Sequence, residues 1–168
     1  NKNTSDVLCN ILSQNPKHQI IQAIYNFMNG NFKRCSEYLK KYKVLATTPM
    51  ILNLKEEDKL FCGAYFSFLN ILIKNNKTIK NSELPAIYHI GESHCLSYAH
   101  SIMLKNKTPY YILPKITFGA KAYHFSNRLE NRFKAITRFN LERIPRGTPV
   151  LISFGEIDCR VNEGIITA

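Results

Sequence analysis

Hydrophobic positions change period near the middle of the chain. Before it, apolar residues recur at helical spacing. Val7, Leu8, Ile11 and Leu12 form a short patch that suits the end of one helix. Pro16 fits the first turn of the next, where Ile20, Ile21, Ile24, Phe27 and Met28 line one face. Asn29-Gly30-Asn31 is a helix stop, because glycine takes the left-handed conformation without cost. Phe32, Cys35, Tyr38, Leu39 and Tyr42 then share a face opposite Lys33, Lys40 and Lys41. A third helix is predicted over 55–75, with Leu60, Phe61, Ala64, Phe68, Leu69, Ile71 and Leu72 as its apolar residues. Glu56, Glu57 and Asp58 fall in its first turn, where negative charge suits the helix dipole.

The polar stretch 75–82 reads as a domain boundary. Beyond it the pattern is that of strands and helices in alternation. Strands are predicted at 86–90, near 110–113 and at 150–154. Helices are predicted at about 93–104 and 126–143, and Thr117 to Ala122 reads as a loop. Strand–helix–strand order implies a parallel sheet with right-handed crossovers, flanked by helices. The expected organisation is thus a helical segment, 1–76, followed by an α/β domain, 84–168.

Composition narrows the function classes only modestly. The chain has 168 residues, 45% hydrophobic and 21% charged, which is globular rather than disordered. No apolar run approaches the roughly 20 residues that cross a bilayer. A cytoplasmic protein without a membrane partner is expected. The opening on Asn1 and the stop soon after a predicted core strand read as a fragment. The five cysteines are widely spaced and form no Cys-x-x-Cys pair, which argues for reduced thiols and against a zinc site. A net charge of +11 raises nucleic-acid binding, but the lysines are scattered. The basic residues Arg128, Arg132, Lys134, Arg138 and Arg143 suit a solvated helix face, so nucleic acid is not the expected partner.

Candidate chemistry lies at two strand ends. Gly91-Glu92-Ser93-His94 follows the first strand and Gly155-Glu156-Ile157-Asp158 follows the last. In a parallel sheet both fall on the carboxyl edge, where ligands bind. Ser93 reads first as a helix N-cap. It reads alternatively as a nucleophile that needs a base. His94 and His124 are the in-chain candidates for a direct role, whereas His89 suits a packed strand residue and His100 a helix surface. Glu156, Asp158 and Arg160 alternate along an extended segment. They can form a salt bridge, cap the next helix, or face a substrate. Cys95 and Cys159 beside them read as structural thiols.

The block Tyr88-His89-Ile90-Gly91-Glu92-Ser93-His94 resembles the first block of SGNH (GDSL-type) hydrolases, and its Gly-acid-Ser-His form is similar to SGNH esterase and acyltransferase domains that act on glycans. The resemblance implies a flavodoxin-like sheet, of which this chain holds the first half. It implies hydrolysis or transfer of an acyl ester, with Ser93 as nucleophile, Gly119 as an oxyanion donor and Asp158 in the pocket. Glu156, His94 and Arg160 fall beside these as substrate-contacting candidates. The implied partner is a small-molecule or glycan ester, and neither metal nor organic cofactor is required. Ile157 stands where the family has an oxyanion Asn, and the family's Asp-x-x-His base has no counterpart before Ala168. The second reading is therefore a catalytically degenerate SGNH-like binding module. In the first half, Ala23, Gly30-Asn31-Phe32 and Cys35 resemble a tetratricopeptide repeat, which implies a helical scaffold for a protein partner.

Overall fold

The computed structural model describes residues 14–75, 84–126 and 128–161. The helix end read around 7–12 and most of the 75–82 linker lie outside the described residues. The chain divides into two units between Lys77 and Thr78.

In the first unit, α1 (Pro16–Met28), α2 (Phe32–Leu45) and α3 (Glu56–Asn75) pack on one another, and a short 3-10 turn spans Pro49–Ile51. Asn15 caps α1 by accepting from the Lys17 and His18 amides, and Pro16 takes the first helical position. The helix ends at Gly30, φ +72°. The Gly30 N–H donates to the Phe27 carbonyl and that of Asn31 to the Asn26 carbonyl. These two bonds are a Schellman motif, and they occupy carbonyls that the helix end would leave bare.

The core follows the apolar stripes. Ile20, Ala23, Ile24, Phe27, Cys35, Leu39, Tyr42, Cys62 and Leu69 are buried. The Phe27 and Phe32 rings meet edge to face, 5.6 Å apart. Leu60 and Ile71 depart from the expected stripe and are exposed, because Cys62 and Leu69, two turns apart, set the inward face of α3.

The second unit is α/β, with a four-stranded mixed sheet in the order β2–β3–β1–β4. Its strands are β1 (Ala86–Gly91), β2 (Ile102–Lys105), β3 (Thr108–Ile116) and β4 (Val150–Ser153). β1 is parallel to both β3 and β4, whereas β2 is antiparallel to β3. Helix α4 (Tyr123–Ser126) and helix α5 (Arg132–Glu142) lie between β3 and β4 in the chain.

Three expectations are corrected here. The helix expected at 93–104 is a six-residue 3-10 turn, Ser93–Tyr98, followed by β2. His100, with φ +63°, turns the chain between them and is held by a bond between its Nδ1 and the Tyr111 hydroxyl, 2.9 Å. The sheet is consequently mixed rather than wholly parallel. β2 and β3 form a hairpin through Asn106 and Lys107, both at positive φ, as a primed two-residue turn requires. The helix expected at 126–143 is shortened to α5, with the separate turn α4 before it, and Asn131 caps α5 by accepting from the Phe133 and Lys134 amides. α5 is tied to the end of β3 by Asn140, whose Nδ2 donates to the Ile116 carbonyl, and by the Thr117–Thr137 hydroxyl pair. Among the described residues no helix is long and apolar enough to cross a membrane.

Candidate functional site

Register places the two motifs on one edge. Gly91 pairs with Ile116 of β3 and with Ser153 of β4, so the carboxyl ends of the three parallel strands are level. The loops that follow carry Glu92 to His94, Thr117 to Gly119, and Phe154 to Arg160. The chain runs from β1 to β3 on one side and returns to β4 on the other. The gap between β1 and β4 is therefore a switch point, the place where open α/β sheets take ligands. Glycine is required at position 91 by close approach. A Cβ there would lie 2.6 Å from both the carbonyl oxygen and the Oγ of Ser153.

One hydrogen bond joins the loops across this gap: the Glu156 backbone N–H donates to Glu92 Oε1, 3.2 Å. Glu92 is 2% exposed, and its Oε2 has no hydrogen-bond partner. Desolvation and then the nearby Glu156 carboxylate push its carboxyl above the ordinary range, against the weaker pull of His94. His94 is exposed at the rim, with Nδ1 3.4 Å from Glu156 and 4.0 Å from Glu92. Arg160 closes the outer side through three short contacts to the Glu156 carboxylate. That guanidinium is the main reason Glu156 sits below the ordinary carboxylate range.

Asp158 is 7% exposed and faces the neighbouring loop. Its Oδ2 accepts the Ala122 N–H at 2.7 Å and its Oδ1 the Tyr123 N–H at 3.1 Å. Burial pushes its carboxyl up, but the backbone donors, Tyr123 and Ala122 foremost, outweigh burial and leave it below the ordinary value. Asp158 thus caps α4 from 36 residues away and fixes the chain just past Gly119. The expected alternation of Glu156, Asp158 and Arg160 along one extended side is corrected, because Ile157–Cys159 is a 3-10 turn. Ile157 is buried and turns away from solvent.

Ser93 opens its 3-10 turn and is half-buried. Glu92 is the capping position, and no side chain caps the turn, so the N-cap reading of Ser93 is corrected. Gly119 has φ +65° and open space where a Cβ would be. His124 is occupied structurally: its Nδ1 accepts the Lys121 N–H and its ring stacks on Phe133 at 3.9 Å.

A cleft of about 590 Å³ lies on the sheet face beside the edge, lined by His89, Glu92, His94, Tyr98, Ser153 and Glu156 among others. Ser93, Gly119, Asp158 and Arg160 do not line it. His89 is the packed strand residue expected from sequence, and it pairs with Ser153, which the sequence did not single out, Nε2 to Oγ at 2.7 Å. They lie on one face of neighbouring strands, since His89 pairs with Leu151 and Gly91 with Ser153. Burial holds the His89 imidazole below the ordinary histidine value and favours its neutral form. Its Nδ1 is buried without a partner, so no acid orients the ring. The signal available in sequence was a polar residue at the same parity on each of two adjacent strands, which is visible only once the strands are paired.

Comparison of the chain with protein-family models, with curated proteins and with solved structures finds no match.

Proposed function

We propose that the α/β unit is a serine esterase or acyltransferase domain of SGNH type, built on a flavodoxin-like sheet and acting on acyl esters, glycan esters among them. The supporting observation is the shared carboxyl edge. Gly91-Glu92-Ser93-His94 and Gly155-Glu156-Ile157-Asp158 flank the switch point and are joined by the Glu156-to-Glu92 hydrogen bond. In this reading Ser93 Oγ attacks the acyl carbonyl, the Ser93 and Gly119 amides receive the developing negative charge, and a histidine takes the serine proton. Asp158 is a positioning residue, because it fixes Ala122 and Tyr123 next to the Gly119 loop. His89, His94, His100 and His124 are engaged by Ser153, by two carboxylates, by Tyr111 and by the Lys121 amide. Among the described residues none of these contacts reaches Ser93.

A specific observation favours the second reading, a catalytically degenerate SGNH-like binding module whose helical unit serves as a protein-interaction scaffold. Ile157 is buried where an oxyanion donor would stand, and Glu156 and Asp158 already have structural partners. Hydrolysis of an activated acetyl ester by the protein, by Ser93→Ala and by Ser153→Ala separates the readings. The esterase reading expects Ser93→Ala to lose about 10³-fold or more in kcat/KM while Ser153→Ala retains activity. Equal rates for the protein and Ser93→Ala overturn it. Loss only in Ser153→Ala transfers the nucleophile to the His89–Ser153 pair and also overturns it.

A further inference from the structure

We infer that Glu92, His94 and Glu156 form a binding site for a first-row transition-metal dication of the zinc type. The inference goes beyond the esterase reading and does not depend on it.

Two independent observations converge. The first is donor geometry. One ligand atom from each of the three residues lies within 4.8 Å of the other two. His94 Nδ1 is 3.4 Å from Glu156 Oε2 and 4.0 Å from Glu92 Oε1. Zinc binds nitrogen and carboxylate oxygen at about 2.0–2.2 Å, which makes the edge of a tetrahedral site about 3.4 Å. Of the three separations, His94–Glu156 already has that value, rotation of the exposed His94 ring shortens His94–Glu92, and the two carboxylates, within 4.8 Å of each other, close the third by rotation of the exposed Glu156. Three protein donors leave a fourth position for water or a ligand, as in open zinc sites.

The second observation is an unmet need at the same place. Glu92 is 2% exposed and lines the cleft, yet its Oε2 has no hydrogen-bond partner. A buried carboxylate oxygen without a donor costs substantial desolvation energy. Protonation does not remove that cost, because the acid then holds an O–H with no acceptor. Oε1, the oxygen measured against His94, already accepts the Glu156 N–H, so a dication on this carboxylate would take up the charge that Oε2 leaves unmet and offset the two carboxylates of the paired loops.

Arg160 is the group that opposes the ion. Its Nε and Nη2 both contact the Glu156 carboxylate, at 2.9–3.1 Å. Ligating carboxylates commonly keep such outer hydrogen bonds, so Arg160 orients Glu156 while one of its oxygen lone pairs faces the ion. The mixed nitrogen–oxygen set favours zinc, cobalt or manganese over magnesium, which seeks an all-oxygen octahedron.

The test is titration of the protein with zinc chloride by calorimetry, with cobalt chloride as a spectroscopic probe and magnesium chloride as a control. One equivalent of zinc is expected to bind. Cobalt is expected to give tetrahedral d–d bands without a thiolate charge-transfer band, which excludes capture by the exposed Cys159. His94→Ala, a change at the surface, is expected to weaken zinc about tenfold or more, and Glu92→Gln to do the same. Circular dichroism of both variants checks that they are folded. The inference is overturned by absence of one-equivalent binding, by zinc affinity unchanged in the folded His94→Ala variant, by a thiolate band, or by magnesium binding as tightly as zinc.

Discussion

The helical unit and the α/β unit bury polar groups in different ways. In the helices the polar bonds are mostly local, and the long-range one, the Lys17–Asp58 ion pair between α1 and α3, is partly exposed. Asn26 Nδ2 donates to the Gln22 carbonyl four residues back, and Asn15 caps the turn that follows it. At the carboxyl edge of the sheet the bonds are long-range. His89–Ser153 and Glu156–Glu92 each span 64 residues, and Asp158–Ala122 spans 36. Local polar bonds form with the helix and add little to tertiary specificity. Long-range ones form only once the strands are paired, and they fix where the loops sit. The helical unit is therefore held by apolar packing, and the site by a polar framework.

The largest single effect is expected in the helical core. Phe27 is fully buried and meets Phe32 edge to face, so Phe27→Ala should cost about 4 kcal/mol in a denaturant titration of the helical unit's transition. Gly91→Ala comes next, at about 3 kcal/mol, because the added methyl meets a backbone carbonyl that cannot rotate away. It should lower the transition of the α/β unit and leave the helical one unchanged. If both units melt earlier, they are not separate packing systems.

Asp158→Ala acts at the site alone. Two backbone N–H groups lose their acceptor, at a cost of about 2 kcal/mol. Hydrogen exchange should quicken at Ala122 and Tyr123 and not in α1 to α3. Uniform quickening throughout the chain would deny that Asp158 acts as a local cap.

The smallest effect is a pH dependence. His89 has a folded pKa below its ordinary 6.5, so its contribution to stability is complete above that value and is lost as the pH falls below it. Glu92, displaced upward, acts in the opposite sense, since its protonated form is favoured in the folded state. The difference between the protein and His89→Gln isolates the histidine. Between about pH 7.5 and pH 5.5 the protein should lose more stability than His89→Gln. Equal losses would mean that burial does not hold His89 neutral.

Much of the fold was legible because apolar period and chain punctuation coincide. Pro16 and Gly30 bound α1, and Ala86 to Gly91 is a strand in both sequence and structure. The Ser93–Tyr98 segment was misread as a long helix because Cys95, Leu96 and Ala99 recur at spacings shared by α and 3-10 turns. The β2–β3 hairpin was missed because its turn uses Asn106 and Lys107 at positive φ, where glycine is the usual signal. The edge itself was legible from the two Gly-acid motifs. What stood there was not: Asp158 as a loop cap and His89–Ser153 as a pair depend on strand order and register, which no single segment encodes.

In the proposed esterase the carboxyl edge presents Ser93 as a nucleophile. Treatment of the protein with a fluorophosphonate, followed by peptide mass mapping, tests it directly. A single phosphonyl adduct on the peptide that carries Ser93, absent in Ser93→Ala, is the expected result. An adduct on Ser153, or a protein that takes up none, would contradict it.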